Sequence, residues 1–381
     1  MPKRPLKVLF TWHAAVVPGN RAYAKSLAAG GDLDVTLLIP ERWDESTSLV
    51  EAGQPQGDGY RVIVGPVKNP YKGLSFYYPR AAEYLREVAP DAILLYEEPY
   101  SYAAWHFLYH ARKLRPGIKF IFYTWQNLVC RYSFLRRQIE RYVFRHSHLA
   151  IAGSKDVEDV LRTRGFAKPL RIVPLALDPG DFPAFEPAGL RQQLGLDGFV
   201  VGYVGRLTRE KGLEDLIDAL AILKDRPVRA FFVGGGPDEA ALKARAEQAG
   251  IAGRILWLKG VPNQEMYKYY RVMDALVLPS RTMPWWKEQF GRVLIEAMIS
   301  GTPVVGSSSG EIPRVVGDAG LVFPEGDAAA LCGCLMRLLD EPDLGRRLAA
   351  AGKARVLANY TWERVGSLTR EAILEACAGG G

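Results

Sequence analysis

Short apolar runs alternate with amphipathic stretches along the first half of this chain. Between most of the runs, apolar residues recur at the spacing of a helix buried on one face, as in 77–88, 103–114, 132–144 and 156–164. Strands that alternate with helices predict a parallel, doubly wound sheet, with ligands at the carboxyl ends of its strands. The apolar runs predict strands at residues 6–11, 35–39, 61–64, 92–96, 119–123, 149–152 and 171–173.

A second alternation of the same kind begins near residue 199, so the predicted fold class is α/β with two Rossmann-like units. Its predicted helices include 213–224, 239–249 and 288–299, and three more near 328–340, 344–357 and 362–376 end the chain. Its predicted strands are 199–204, 229–233, 255–258, 275–278, 304–306 and 320–322.

Residues 177–193, between the two alternations, are rich in Pro, Gly and Asp. We therefore predict an interdomain linker at 181–197, which separates an N-terminal domain at 1–180 from a second domain at 198–361. The C-terminal helix, 362–381, is predicted to return to the first domain. A chain of 381 residues is long for one domain and sufficient for two.

The predicted helix at 288–299 carries two glutamates, Glu288 and Glu296. If the helix begins at Glu288, its first turn contains Gln289, Phe290 and Gly291, whose unpaired amides and positive dipole end form an anion site. The two carboxylates are then separated by about 12 Å along the axis and about 80° around it. That exceeds the roughly 5–9.5 Å of a glycosidase carboxylate pair and suits an elongated, phosphate-containing ligand. On spacing alone, a dipole-favoured N-terminal acid plus a surface glutamate is an equal alternative.

The loop at 205–212 follows the first predicted strand of the second half and is rich in charge. Gly205 permits close approach of the backbone, while Arg206 and Lys211 supply a bidentate fork and a point charge for a diphosphate. The alternative is a solvated charged loop. Gly235 lies in a glycine triplet after the next strand, which predicts a tight strand-to-helix turn beside the same ligand. The triplet lacks the spaced glycines of a dinucleotide fingerprint, and the sequence contains no GxxxxGK[ST] motif.

Polar residues also follow strands in the first half. His13 and Gly19 follow the first strand, where Gly19 makes a turn whose amides could approach a phosphate or a sugar. His13 could be a polar ligand contact or a structural histidine. Glu98 follows a later strand and could either bind acceptor hydroxyls or cap the next helix.

Positive charge is concentrated in the first half. The whole chain has a formal net charge of +7, and residues 1–190 contribute 25 Lys and Arg against 19 Asp and Glu, or +6. Because we find no nucleic-acid motif, this basicity predicts contact with anionic lipid or a phosphate-bearing acceptor rather than with nucleic acid. The segment from Arg131 to Arg145 predicts a basic, aromatic helix that makes peripheral contact with a membrane. The alternative is an ordinary helix whose apolar side packs on the sheet.

The cysteines and the longest apolar runs limit the class further. The four cysteines form no CxxC pair and none has a histidine at zinc-like spacing, so we expect neither disulfides nor a metal site. No apolar run approaches the roughly 18–20 residues of a membrane span. The basic start and short apolar stretch of residues 1–17 are better explained by a first strand than by a signal peptide. These features predict a cytoplasmic protein, with peripheral contact at the inner membrane face if the basic helix binds lipid.

Four motifs in the second half together resemble one family. The stretch from Glu288 to Glu296 resembles the E-x7-E motif of retaining, family-4-like glycosyltransferases of the GT-B fold. Residues 205–212 resemble the phosphate-binding loop of that family, 234–237 its next strand-to-turn connection, and 307–313 its glycine-rich turn. The motifs occur in family order between about residues 199 and 323, whereas the first half matches loosely.

The resemblance implies a GT-B fold, in which two Rossmann-like domains face each other across an interdomain cleft. It also implies a nucleoside-diphosphate sugar as donor, retention of anomeric configuration, and no cofactor or obligatory metal. Many relatives place a sugar-contacting histidine where this chain has Gln126 and Asn127, so these two residues are candidate substitutes for it.

The resemblance assigns roles to single residues of the second half. Glu296 is expected to bind the donor ribose and Glu288 to contact the donor sugar. Arg206 and Lys211 are expected to hold the diphosphate, and the backbone near Val261 is expected to lie against the nucleobase.

The resulting hypothesis is a retaining glycosyltransferase that moves a sugar from a nucleoside-diphosphate sugar to an acceptor hydroxyl in glycan or glycolipid synthesis. The acceptor could be a glycan, a lipid-linked molecule or a small molecule. The alternatives are a sugar-nucleotide epimerase of the same fold and a nucleotide-sugar-binding protein without turnover. The catalytic candidates are Arg206, Lys211 and Glu288. The donor-binding candidates are Gly19, Gly205, Gly235, Val261, Gln289, Phe290, Gly291 and Glu296. The acceptor or sugar candidates are His13, Glu98, Gln126 and Asn127.

Overall fold

The computed structural model describes residues 4–44, 49–53, 57–70 and 73–378. The chain forms two compact units: unit 1 is Met1–Pro174 with Trp362–Gly381, and unit 2 is Leu175–Thr361. The boundary therefore lies before the linker predicted at 181–197, and that segment belongs to unit 2, where it includes a helix at Ala188–Gln193.

Unit 1 is built on a seven-stranded parallel sheet. The strands are β1 Leu6–Thr11, β2 Leu33–Pro40, β3 Arg42–Asp44, β4 Leu49–Glu51, β5 Arg61–Gly65, β6 Ala92–Leu95, β7 Lys119–Thr124, β8 Leu149–Ala152 and β9 Leu170–Ile172. The order in the sheet is β5-β2-β1-β6-β7-β8-β9. Strands β3 and β4 form a separate, small antiparallel hairpin. The helices are α1 Ala22–Ala28, α2 Ala81–Val88, α3 Tyr102–Leu114, α4 Phe134–His146 and α5 Lys155–Thr163.

Unit 2 has a six-stranded parallel sheet in the order β12-β11-β10-β13-β14-β15. The strands are β10 Phe199–Val204, β11 Val228–Val233, β12 Ile255–Leu258, β13 Ala275–Leu278, β14 Val304–Ser307 and β15 Leu321–Phe323. The helices are α6 Ala188–Gln193, α7 Leu213–Ile222, α8 Glu239–Gln248, α9 Met266–Arg271, α10 Arg292–Ile299, α11 Ile312–Val316, α12 Ala328–Asp340 and α13 Pro342–Asn359.

The strands form where the sequence has continuous apolar runs, because a parallel sheet is covered by helices on both faces. Every residue of β6, β8 and β13 is buried. The strand predictions are confirmed to within two residues at each end. The hairpin of β3 and β4 was not predicted, since strands of three residues are too short to show a periodicity.

The chain ends with α14, Trp362–Ala378, which packs in unit 1 against α1. Its buried positions include Val365, Thr369 and Ile373. The hydroxyls of Thr369 and Tyr23 are hydrogen bonded, and Trp362 stacks on the Tyr23 ring with centroids 5.6 Å apart. Unit 1 is therefore completed by a helix from the far end of the chain.

Both sheets contain a switch point, where successive connections leave in opposite directions and a crevice opens at the carboxyl edge. In unit 1 this point lies between β1 and β6, which are paired neighbours. In unit 2 it lies between β10 and β13. The loops that follow these four strands are therefore expected to form the functional site.

Candidate active site

Two oppositely charged side chains meet at the switch point of unit 2. Lys211, in the loop after β10, donates a hydrogen bond from Nζ to Oε2 of Glu288, in the loop after β13, at 2.6 Å. Only 15% and 10% of these side chains are exposed. Ser280 donates from Oγ to the same oxygen at 2.8 Å, and the Lys211 ammonium lies 4.7 Å from the centroid of the Trp286 ring. The sequence motifs predicted Lys211 and Glu288 as site residues, and the fold brings them into direct contact.

Ser280 and Trp286 were not predicted as functional residues. Ser280 is fully buried and is the second residue after β13, so its position at the carboxyl edge was the available signal. Trp286 lies in a turn in which its amide and carbonyl bond to those of Met283. Ser280 and Trp286 together hold the Lys211–Glu288 pair in one geometry. A buried ion pair is favourable only when further contacts satisfy its remaining donors and acceptors.

Glycines let the loops of this edge pack backbone against backbone. Gly234 has a φ of +140°, and a Cβ added there would lie 1.9 Å from the carbonyl oxygen of Gly205. Gly212 has a φ of +64°, and its Cβ would lie 2.0 Å from the carbonyl oxygen of Pro279. Larger residues would force the loops after β10, β11 and β13 apart. The carbonyl of Gly235 accepts a hydrogen bond from the Leu207 amide at 3.0 Å, so it braces the same loop.

Arg206 occupies a different environment from Lys211. Its side chain is 67% exposed and lies 3.5 Å from a carboxylate oxygen of Glu210. The position of its backbone is fixed, because its carbonyl accepts a hydrogen bond from the buried Tyr203 hydroxyl at 2.6 Å. The guanidinium is thus a solvent-accessible cation on a well-anchored loop.

The second glutamate of the motif, Glu296, lies on α10 and is held by two partners. Tyr270 donates from its hydroxyl to Oε2 at 2.7 Å, and Arg292 donates from Nε to Oε1 at 2.8 Å. Neither partner was predicted, although Arg292 stands at the i, i+4 spacing from Glu296 that favours a helical ion pair. A carboxylate accepts about four hydrogen bonds, so Glu296 retains capacity for ligand hydroxyls.

The predicted start of the helix at Glu288 is wrong. The helix α10 begins at Arg292, and Gly291 precedes it with a φ of +84°, a left-handed conformation that ends helical geometry. Gln289, Phe290 and Gly291 therefore lie in the connection before the helix, and the amides of its first turn begin at Arg292. The separation of about 12 Å computed for two glutamates on one helix does not apply.

The connection before α10 is itself packed in place. Phe290 is 3% exposed, and its ring meets the Tyr360 ring edge-to-face with centroids 5.5 Å apart. The carbonyl of Glu288 accepts a hydrogen bond from the Glu311 amide at 3.3 Å. Gln289 is exposed, and Val261, in the loop after β12, is partly exposed.

A second pair lies at the switch point of unit 1. His13, after β1, has its Nδ1 at 2.5 Å from Oε1 of Glu97, after β6, and its backbone amide donates to the same oxygen at 3.3 Å. The ring lies 4.3 Å from the Trp43 ring and 5.6 Å from the Phe76 ring, measured between centroids. His13 was a predicted candidate, whereas its pairing with Glu97 and its aromatic neighbours became visible only in the fold.

The other candidates of unit 1 mostly brace its loops. Glu98 accepts hydrogen bonds from the Thr124 hydroxyl and from the Trp125 amide, the latter at 3.0 Å, and burial raises the pKa of its carboxyl to about 7. Gln126 accepts from the Tyr100 hydroxyl at 2.9 Å and donates to the Leu128 carbonyl at 2.8 Å.

The remaining two candidates of unit 1 differ in exposure. Asn127 is buried. Gly19 lies in a short turn, Pro18–Arg21, and a Cβ added there would meet no atom within 4 Å.

Among the residues that the structure describes, no three His, Cys, Asp or Glu side chains are grouped so that they could hold a metal ion. Across the same described ranges, every helix is too short or too polar to cross a membrane.

Comparison with known proteins identifies both units. Residues 190–355 match the model of glycosyl transferases group 1, and residues 15–176 match that of the glycosyl transferase 4-like domain. The chain is 33% identical over 180 residues to 2-deoxystreptamine glucosyltransferase of Streptomyces kanamyceticus, which covers 45% of each chain. It is 31% identical over 245 residues to D-inositol 3-phosphate glycosyltransferase of Jonesia denitrificans, covering 59% of this chain and 56% of the relative. The matches thus span about half the length of these curated relatives.

A solved structure supports the fold over the whole length. Anabaena HepE in complex with UDP is 19% identical, with a TM-score of 0.73, and the match covers 97% of this chain and 100% of that chain. Because the two family models match the two doubly wound units in turn, this chain belongs to the group 1 glycosyltransferases and has the GT-B fold.

Proposed function

We propose that this protein is a retaining glycosyltransferase that transfers a sugar from a nucleoside-diphosphate sugar to an acceptor hydroxyl, in glycan or glycolipid synthesis. The observation that carries the proposal is the Lys211–Glu288 pair, supported by Ser280 at the switch point of unit 2. The family supplies the reaction class, and HepE, of the same fold, is described with bound UDP.

The diphosphate of the donor would bind to the cations of the loop after β10. Lys211 presents an ammonium whose orientation is fixed by Glu288 and Trp286. Arg206 supplies an accessible guanidinium, which matches phosphate oxygens in a bidentate manner. Glu296 would accept hydrogen bonds from ribose hydroxyls, and its two existing partners already orient it.

The chemical step gains from cations placed where charge develops. As the bond between the anomeric carbon and the diphosphate breaks, negative charge builds on the leaving phosphate oxygen, and Lys211 and Arg206 would stabilise it more in the transition state than in the ground state. The acceptor hydroxyl would attack from the face of the leaving group and pass its proton to the departing phosphate. Configuration is then retained without a dedicated base. The two cations Lys211 and Arg206 can neutralise the leaving group, so we expect no dependence on a metal.

Contact with anionic lipid forms a second part of the proposal. The segment from Arg131 to Arg145 has exposed guanidinium groups at Arg136, Arg137 and Arg141. Its one carboxylate, Glu140, is already paired with a partner outside the segment. Such a surface would hold the protein peripherally on an inner membrane whose lipids are anionic.

The decisive experiment replaces Lys211 with Ala. Loss of one donor aimed at the developing charge typically lowers kcat by about 10²- to 10³-fold. The assay would measure release of nucleoside diphosphate and analyse the product for the retained anomer, with and without a chelator. Lys353→Ala, which removes the same charge from an exposed position of α13, is the control and should keep full activity.

Three results would contradict the proposal. Nearly normal turnover of a folded Lys211→Ala variant would remove the role of Lys211. Formation of an epimer from the donor in the absence of acceptor would favour an epimerase. Donor binding without release of nucleoside diphosphate, across a panel of acceptors, would favour a binding protein.

A further inference from the structure

A groove runs along the surface of unit 1 between α3 and α4, and no residue of the candidate active site lines it. Its volume is about 550 Å³. Along α4 the lining extends from Leu135 to His146, which corresponds to roughly 16 Å of helix. The residues that line it are Tyr102, Trp105, Leu135, Gln138, Ile139, Arg141, Tyr142, Arg145 and His146.

Large apolar side chains are exposed at one end of this groove. Leu135, which lines the groove, is 68% exposed, and Phe134, its neighbour in sequence at the start of α4, is 70% exposed. Single exposed apolar residues are common on protein surfaces, but two adjacent ones at a groove with aromatic and aliphatic walls mark a binding surface. The chemistry of the walls suits a hydrocarbon chain.

The rim of the groove is positively charged. Arg141 and Arg145 line it and are exposed, so their apolar stems can cover a chain while their guanidinium groups stay in water. Arg112 of α3 donates a hydrogen bond to the Tyr142 hydroxyl at 3.2 Å and contacts Nε2 of His146 at 3.0 Å.

Acidic side chains do little to offset this charge. The sequence of α3 contains no acidic residue, and that of α4 contains only Glu140. Glu140 is paired with Arg164, at 2.6 Å between Oε1 and Nε, so it does not neutralise the rim. An occupant should therefore be both apolar and anionic.

The groove begins near the polar edge of the sheet. The helices α3 and α4 follow β6 and β7, so their first residues lie at the carboxyl ends of those strands. Tyr102 and Leu135, at these helix starts, belong to the same edge as the His13–Glu97 pair and Glu98. A molecule lying in the groove has one end near that edge.

We propose that the groove between α3 and α4 binds the hydrocarbon chain of a single anionic lipid, whose phosphate-bearing headgroup contacts the arginines of the rim. This inference rests on the proposed function in one respect, since the lipid is then the acceptor or the carrier of the acceptor. Of the three acceptor classes considered, the inference selects a lipid-linked molecule. It also differs from adsorption to a membrane surface, in which a basic face contacts only headgroups, because here the hydrocarbon chain lies between two helices.

Trp105 provides a direct reporter, because it is the only tryptophan among the residues that line the groove. The full-length protein would be titrated with vesicles of phosphatidylglycerol whose acyl chains carry bromine, which quenches tryptophan at short range. We expect quenching by these vesicles and little quenching by brominated phosphatidylcholine. The Trp105→Phe variant should lose this component, while glycerol phosphate, a headgroup without a chain, should not protect the protein against thermal unfolding.

Two sets of variants separate the chain from the charge. The double variant Phe134→Ser with Leu135→Ser changes exposed residues and should weaken binding by at least tenfold, since each buried methylene contributes roughly fourfold in affinity. The double variant Arg141→Gln with Arg145→Gln should weaken it by roughly fivefold per charge and reduce its salt dependence. The matched control, Arg346→Gln with Arg347→Gln, removes two charges from α13 in unit 2 and should bind like the parent protein.

The inference is overturned if Trp105→Phe is quenched as strongly as the parent, or if phosphatidylcholine binds equally well. Binding that loses strength only with the arginine variants would show adsorption to a charged surface and would also overturn it. These outcomes do not decide whether the proposed function is correct, because glycosyl transfer is tested separately. Quenching at Trp105 in a protein that releases no nucleoside diphosphate would refute glycosyl transfer and leave the lipid site standing, whereas transfer without quenching would do the reverse.

Discussion

Lys211 and His13 occupy corresponding positions in the two units. Each follows the strand on one side of a switch point and pairs with a carboxylate that follows the strand on the other side. The Lys211–Glu288 pair is largely screened from water, so removing Lys211 would take away the cation that faces the Glu288 carboxylate. At the scale of single residues, the two units are therefore built alike, since each pairs a nitrogen-bearing side chain with a carboxylate across its switch point.

Glu98 makes the stability of the protein dependent on pH. Burial raises the pKa of its carboxyl from 4.5 to about 7 in the folded chain. The folded state therefore prefers the protonated form, so the contribution of Glu98 to the free energy of unfolding should be greatest below about pH 4.5 and be lost as the pH rises through 7. The whole effect amounts to about 3 kcal/mol at most. Thermal unfolding measured from about pH 5 to pH 8 should show this decline.

Glu98→Gln should flatten that decline, because the amide cannot ionise but can still accept a hydrogen bond from the Trp125 amide. Glu83→Gln, at a carboxylate of α2 that is about half exposed, is the control and should keep the slope of the parent protein. An unchanged slope in Glu98→Gln would show that another group is responsible.

At the scale of elements, α4 is fixed by one ion pair on its inner side. Arg164, at the end of α5, contacts both carboxylate oxygens of Glu140 and lies 4.1 Å from the centroid of the Tyr132 ring. Both charged side chains are nearly buried. Arg141 and Arg145, which line the groove, lie about 100° and 140° around the helix axis from Glu140. The ion pair therefore helps to orient the face of α4 that lines the groove.

Arg164→Ala should destabilise unit 1 by about 3–5 kcal/mol, because it leaves the Glu140 carboxylate buried without a cation. Chemical denaturation would measure the loss. The double variant Arg164→Met with Glu140→Met should recover most of the stability, since it removes both charges and keeps apolar volume. If Arg164→Ala unfolds at the same denaturant concentration as the parent, the pair contributes nothing to the position of α4.

At the scale of the whole molecule, the chain builds most of unit 1, then unit 2, and returns to unit 1 with α14. Val365, Thr369 and Ile373 are buried in that helix. The fold of unit 1 thus requires residues more than 180 positions beyond Pro174, whereas unit 2 is continuous in sequence from Leu175 to Thr361.

In a chain that ends at Thr361, the amides of unit 1 should therefore lose their protection from hydrogen exchange, while those of unit 2 keep it. Without α14, the surface of α1 and of the neighbouring strands is exposed, so amides in β6, β7 and β8 should exchange hydrogen fast while those in β10 to β14 stay protected. Hydrogen exchange of the truncated and full-length chains, resolved by mass spectrometry, would measure this. Ile373→Ala should cause a smaller loss of the same pattern, and equal loss in both units would contradict it.

Much of the fold could be predicted from the sequence because its strands are apolar runs between polar loops. The runs at 92–96 and 275–278 correspond to the buried strands β6 and β13. The start of α10 could not be found in this way, since the residues from Phe290 onwards continue the apolar spacing and a left-handed Gly291 leaves no periodic signal. The hairpin that places Trp43 beside His13 was too short for any periodicity.

The sequence predicted which residues belong to the candidate site, but not which of them are in contact. The sequence by itself determined two α/β units, the charged loop with Arg206 and Lys211, and the glutamates Glu288 and Glu296, because these features depend on local spacing. Only the tertiary structure decided that Lys211 is bound to Glu288, 77 positions away, and that Tyr270 holds Glu296. The physical reason is that such contacts arise from the order of strands in a sheet, which brings together loops that are far apart along the chain.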